Sequence, residues 1–136
     1  MTAAAKNRTT ATKLVSSIEL PVKASTTMYG GTIGCSDSSG WGVPMTETTG
    51  LKTWGRVKET VDNSAGSNGD KKVVIEFGQN LTAYLYANDT TAPVATVGTT
   101  CYGLDNQTVS SDSTGTSAAG LVYEVTTEGV WVLPTL

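Results

Sequence analysis

Turn-forming clusters break this chain at intervals of roughly 8 to 12 residues, and the runs between them are β-prone and too short for typical helices. The clearest run is "KKVVIEFG", in which Val73, Ile75 and Phe77 alternate with Lys72, Val74 and Glu76. A period of two puts the first set on one side of a strand and the second on the other. Before it stands "DNSAGSNGD", Asp62 to Asp70, a dense turn cluster that reads as a hairpin loop. The chain closes on "LVYEV" and "VWVLP" around the turn "TTEG", a strong hairpin signal. "TCYGLDNQTV" reads as two very short strands reversing at "LDNQ", with Cys101 and Val109 inward. Near the start, "SIELPVKAS" places Ile18, Leu20 and Val22 on one side of a strand. Pro21, which cannot donate to a ladder, marks that strand as an edge. "TMYGGTIGC", the turn "DSSG" and the returning "WGVP" form a further hairpin. "LTAYLYA" alternates Leu81, Ala83 and Leu85 against Thr82, Tyr84 and Tyr86, and fits either a strand or a short helical turn. "SSDSTGTSAAG" reads as a flexible loop.

Spacing of this kind belongs to a sandwich or small barrel rather than to strand-helix-strand units. Composition points the same way. Hydrophobic residues make up 38% and charged residues only 15%, the balance being rich in Thr, Ser and Gly. β-branched and hydroxyl side chains lose rotamer freedom in helices or compete there for backbone hydrogen bonds. At 136 residues the chain is one domain's worth and can bury a core without staples. The expectation is an all-β protein: a small β-barrel or sandwich-like (β-tulip-type) domain over residues 18–136, preceded by an extended N-terminal arm over residues 1–17 that shows no sustained periodicity.

Charge is unevenly placed. The formal net charge is -3, but all nine Lys and Arg lie at or before Lys72 and the remainder of the chain carries only acids. An acidic surface repels nucleic acid, so no nucleic-acid partner is expected for the body of the domain. No apolar run approaches the ~20 residues of a membrane span, and no membrane contact is expected. "MTAAAKNRTT" lacks the apolar core of a secretory signal, so Cys35 and Cys101 are expected as reduced, buried thiols rather than a disulfide. Lys6, Arg8 and Lys13, with no acid among them, make the arm basic. It is either a solvated tail or a partner-contacting arm.

Few residues offer chemistry. With no histidine in the chain, the usual base for a Ser or Cys nucleophile is missing, and so is the commonest metal ligand. Cys101 has acidic or neutral sequence neighbours, which raise a thiol's pKa and make it a poorer nucleophile. The Asp62 to Asp70 stretch fails as a calcium loop: an EF-hand begun at Asp62 needs Gly at 67 and Glu at 73, where Ser67 and Val73 stand. No catalytic residue, metal ligand or cofactor site is assigned. "KTWGRVK" is the more suggestive stretch, because a regular strand would point Lys52, Trp54, Arg56 and Lys58 to one face. Trp54, Arg56 and Lys58 are therefore candidate interface residues, Trp and Arg being enriched at interfaces. The competing reading makes Trp54 core, the strand bulged at Gly55 and the cations a rim.

Several motifs in fixed order carry a resemblance. They are "ETVDNSAG" (Glu59 to Gly66), "KKVVIEFG" ending at Gly78, "CYGLDNQTV" (Cys101 to Val109) and the closing run from Ala119 to Trp131. Over roughly Thr27 to Val132 the chain resembles the decoration, or cement, proteins of tailed-bacteriophage capsids. It departs from them at Trp54 and Arg56, which are bulkier and more polar than that family's small aliphatics, and in the unmatched arm before Ile18. The resemblance implies a non-enzymatic structural protein of the virion, made in the host cytoplasm. It would bind the outer surface of the expanded shell and brace it against internal DNA pressure, with the major capsid protein as partner. It further implies self-association, with a trimer favoured over a dimer or monomer, and an arm that pairs with a capsid strand. Such pairing draws affinity from main-chain hydrogen bonds. Lys6, Arg8, Lys13, Val15, Ile18 and Leu20 are the candidate capsid-contacting residues. The rival expectation is a carbohydrate- or receptor-binding β-domain of a phage tail or other virion component, with Trp41, Trp54 and Tyr84 or Tyr86 stacking on sugar rings.

Overall fold

The computed structural model describes residues 2–78 and 82–136. Met1 and Leu81, the latter part of the alternation read above, lie outside the described residues. Among those described there is no helix; the chain runs through twelve strands, β1 (Ser17–Pro21), β2 (Thr26–Met28), β3 (Ile33–Ser36), β4 (Gly42–Pro44), β5 (Lys52–Val57), β6 (Val61–Asn63), β7 (Lys72–Glu76), β8 (Tyr84–Asn88), β9 (Thr100–Gly103), β10 (Thr108–Ser110), β11 (Ala118–Thr126) and β12 (Gly129–Leu133). The protein is all-β, as its punctuation predicts.

The first seven strands build one half. Five form a sheet in the order β1-β7-β5-β3-β4, and β2 pairs with β6 as a separate ribbon. The sheet curls until its far ends meet, through a parallel bridge between Val22 and Gly42, with Lys23 N donating to Gly42 O at 3.1 Å. Inside the curl sit Leu20, Val22, Val57, Val73 and Ile75, and the ribbon adds Met28 and Val61. The alternation in "KKVVIEFG" is realised: Val73 and Ile75 are fully buried, while Val74 and Glu76 are not.

The last five strands close into a barrel, β10-β8-β12-β11-β9. A parallel β8/β10 pair completes the ring, which the long crossover through β9 permits. Tyr86, Cys101, Val109, Val122, Val130 and Val132 are buried in one cluster. "LTAYLYA" is a strand from Tyr84 onward, with Tyr86 inward and Leu85 outward. Cys101 and Val109 are inward and fully buried, as expected. Ile33, Cys35 and Met45 of the first half belong to this second cluster, so the β3/β4 hairpin joins the two halves.

Four expectations need correction. The turn cluster between β6 and β7 is not a hairpin loop, because β6 pairs with β2 while β7 pairs with β1 and β5. Only β3 of "TMYGGTIGC" pairs with β4; β2 belongs to the ribbon. The stretch read as a flexible loop is anchored at its end, where Ser117 Oγ donates to Thr48 O at 2.6 Å and accepts from Leu51 N at 3.1 Å. The arm ends sooner than residue 17. Ser17 is already in β1, and Ser16 O accepts from Phe77 N and Gly78 N, both at 3.0 Å.

Candidate interaction site

Residues 2–15 carry no strand or helix and are all exposed, Leu14 completely and Val15 by 53%. Lys6, Arg8 and Lys13 therefore project from an exposed segment, the placement a partner-contacting arm needs. Val15 reaches the mouth of a groove lined by Phe77, Leu133, Pro134 and Leu136, where the root of the arm meets the C-terminus. Ile18 and Leu20 fare differently. Ile18 packs against the first core but stays half-buried, whereas Leu20 is buried in it and offers no side chain to a partner. β1 can serve a partner through its main chain and its exposed Glu19, because the same period of two that buries Leu20 turns Ser17 and Glu19 outward.

The candidate interface in β5 is divided by a bulge. Cys35 opposes Thr53 and Gly34 opposes Gly55, so two steps on β5 face one on β3. A bulge of this kind shifts the alternation of side chains by one. Before it, Thr53 faces the barrel, donating from Oγ1 to Ala118 O at 2.7 Å; after it, Val57 lies in the first core. Trp54 goes with Lys52, whose ammonium sits 5.8 Å from the indole centroid, and with Phe77 at 6.4 Å. Its indole Nε1 donates to Ser36 Oγ at 2.8 Å. Arg56 and Lys58 line a different groove, with Ser17, Val74, Glu76 and Tyr84. The expectation of one face is overturned: Trp54 is half-buried and packed, and the cations after it belong elsewhere. A bulge at Gly55 was the competing reading, and it holds.

That second groove is organised around one ion pair. Arg56 Nη2 meets Glu76 Oε2 at 2.9 Å, and its guanidinium stacks 5.5 Å from the Tyr84 ring centroid. The Glu76 hydrogen bond raises the Arg56 pKa further, and partial burial raises that of Tyr84. The groove thus presents a permanently charged, partly neutralised cation beside an uncharged phenol. Such a surface suits polar contact with a macromolecule.

The two cysteines are free and buried. Burial pushes each thiol up to about 12, outweighing a smaller lowering from the Thr53 hydrogen bond at Cys35 and from backbone hydrogen bonds at Cys101. A thiol held that far above neutrality carries almost no thiolate, the nucleophilic form. In the turn between β6 and β7 the carboxylates hold the loop. Asp62 Oδ1 accepts from Ser64 N and Thr27 Oγ1, and Asp70 Oδ2 accepts from Ser67 N. Hydrogen bonds from Ser64 lead in lowering the Asp62 pKa to about 2. Among the described residues no three His, Cys, Asp or Glu side chains gather as a metal site would require.

The aromatic residues proposed to stack on sugars are not gathered. Tyr86 is buried in the barrel core, Trp41 lies against Gly69, Trp54 is packed beside Phe77, and Tyr84 lies under Arg56. The edge position that Pro21 marks is realised, β1 being the terminal strand of its sheet. Compared with family models, with curated proteins and with solved structures, the chain has no significant match to any.

Proposed function

We propose that this protein is a non-enzymatic structural component of a tailed-phage head. It binds the outer surface of the expanded capsid and braces the shell against the pressure of packaged DNA, with the major capsid protein as its partner. The observation that carries this reading is the exposed basic arm, residues 2–15, which runs directly into an edge strand of a body made only of sheets. An exposed arm incurs its ordering entropy on binding, and many such weak contacts hold collectively across a symmetric array. The motifs behind the resemblance fall on β6 and its following turn, β7, the β9/β10 hairpin and the β11/β12 hairpin. They support a shared framework more than a shared site. The absence of histidine and the two protonated, buried thiols support a role without covalent chemistry.

The test is co-sedimentation with expanded, undecorated capsids of the phage that encodes the chain. The full chain is compared with one lacking residues 1–15, a cut that spares the Ser16 carbonyl and β1. Saturable binding at a fixed ratio per capsid subunit, weakened by the truncation, is expected. A full chain that stays in the supernatant overturns the reading.

A further inference from the structure

The outer edge of β1 has a determinate hydrogen-bonding pattern. Phe77 N donates to Ser16 O at 3.0 Å and Val22 N donates to Lys71 O at 2.9 Å, in one register with Ser17↔Glu76 through Pro21↔Lys72. The residues that exchange hydrogen bonds with β7 are therefore the even-numbered ones. In an antiparallel ladder these alternate with residues whose N–H and C=O point the other way. Ser17, Glu19 and Pro21 direct theirs outward, and Pro21 has no N–H to give. Lys23 fits the same parity, its amide being met from outside by Gly42 O. The parallel bridge between Val22 and Gly42 takes the Pro21 carbonyl as well as the Lys23 amide, so the outer edge is covered from Pro21 onward and open over Ser17–Leu20, where no other strand among the described residues pairs with it.

We infer that the occupant of this edge in the free protein is the arm of a second copy, in a two-fold antiparallel pair of β1 strands centred on Ser16. Outward-pointing residues must face one another, so odd-numbered positions pair with odd. Centring on Ser16 sets Val15 opposite Ser17 and Lys13 opposite Glu19. On the alternate face it sets Leu14 opposite Ile18. Each pairing occurs twice by symmetry. Two features of the chain select this register. Lys13 meets Glu19, an exposed carboxylate whose nearest cation, Lys72 at 3.9 Å, is itself mostly in water. Leu14, completely exposed, covers the half-buried Ile18. Residues 12–15 span the same length as the open edge, and each body lies beside the other copy's arm rather than the other body. Opposite charges and apolar pairs directly across a ladder both favour pairing. A flat open edge is a template for it.

The inference does not rest on the capsid reading, since it concerns the isolated protein; a capsid strand would compete for the same edge. It is tested by sedimentation equilibrium of the full chain over a concentration series. Wild type is expected to dimerise reversibly. Lys13→Glu and Glu19→Lys alone are each expected to weaken the dimer at least about tenfold, and together to restore it. Ser17→Pro removes an outward amide that the β1/β7 ladder does not use; it is expected to abolish the dimer while leaving thermal unfolding near wild type. A wild type monomeric at all concentrations overturns the inference. So does a dimer indifferent to Ser17→Pro, or singles that the double variant fails to rescue.

Discussion

Gly55 lies so close to the carbonyl oxygen of Glu76, the β7 residue paired with its neighbour Arg56, that a Cβ on residue 55 would overlap that oxygen. Its φ of 157° is also one that side chains rarely adopt. The bulge that turns β5 from the barrel to the first core therefore depends on one missing methyl group. Gly55→Ala is expected to cost about 2–4 kcal/mol, from backbone strain and overpacking together. Urea unfolding measures it, and a loss under about 0.5 kcal/mol would mean that the bulge relaxes freely.

Cys35 and Cys101 are expected to resist alkylation by iodoacetamide at pH 8 in the folded state and to react promptly in guanidinium. Rapid labelling of either thiol in the native protein would contradict their burial. The same shift predicts a pH dependence. Each thiol rises on folding from 9.0 to about 12, so its contribution is complete below pH 9 and is lost as pH climbs through the interval to 12. Stability is expected to fall above pH 9 by up to about 1.4 kcal/mol per pH unit per thiol. Cys35→Ala and Cys101→Ala should each flatten that decline.

Asn63 is 1% exposed, and the two hydrogens of its Nδ2 are shared among three carbonyls, Val22 at 3.3 Å, Lys23 at 3.0 Å and Ser67 at 3.0 Å. It ties the end of β1 to the turn after β6. Asn63→Ala is expected to cost about 2–3 kcal/mol by leaving buried acceptors unmet. Asn63→Asp should cost more, since a carboxylate cannot donate to them. Thermal unfolding of both variants decides it; an aspartate better tolerated than alanine would be the wrong order.

Met45 joins the halves. It is 1% exposed, belongs to the barrel's core cluster and sits over Gly103, where any Cβ would overlap its side chain. Met45→Ala should cost about 2–4 kcal/mol. In wild type, fluorescence of the tryptophans and far-ultraviolet dichroism should report one coincident transition. Separate transitions would show that the hairpin does not couple the two cores.

What could be read from the residues alone was what short-range physics determines. The alternation in β7 was legible because one-sided burial imposes a period of two on side chains. The β9/β10 and β11/β12 hairpins were legible because turn chemistry sits between two β-prone runs. Pro21 announced an edge, since a missing amide is a local fact. The exposed, basic character of the arm followed from its lack of any apolar period. Which strands pair was decided only by the tertiary structure. β6 leaves its sequence neighbour β7 for β2, and the β3/β4 hairpin lends Ile33, Cys35 and Met45 to the barrel. The bulge at Gly55, which separates Trp54 from Arg56 and Lys58, depends on the carbonyl of Glu76, 21 residues away. Local preference shapes a strand and its two faces. Its partner and register come from contacts distant in sequence, and one inserted residue is enough to exchange the faces.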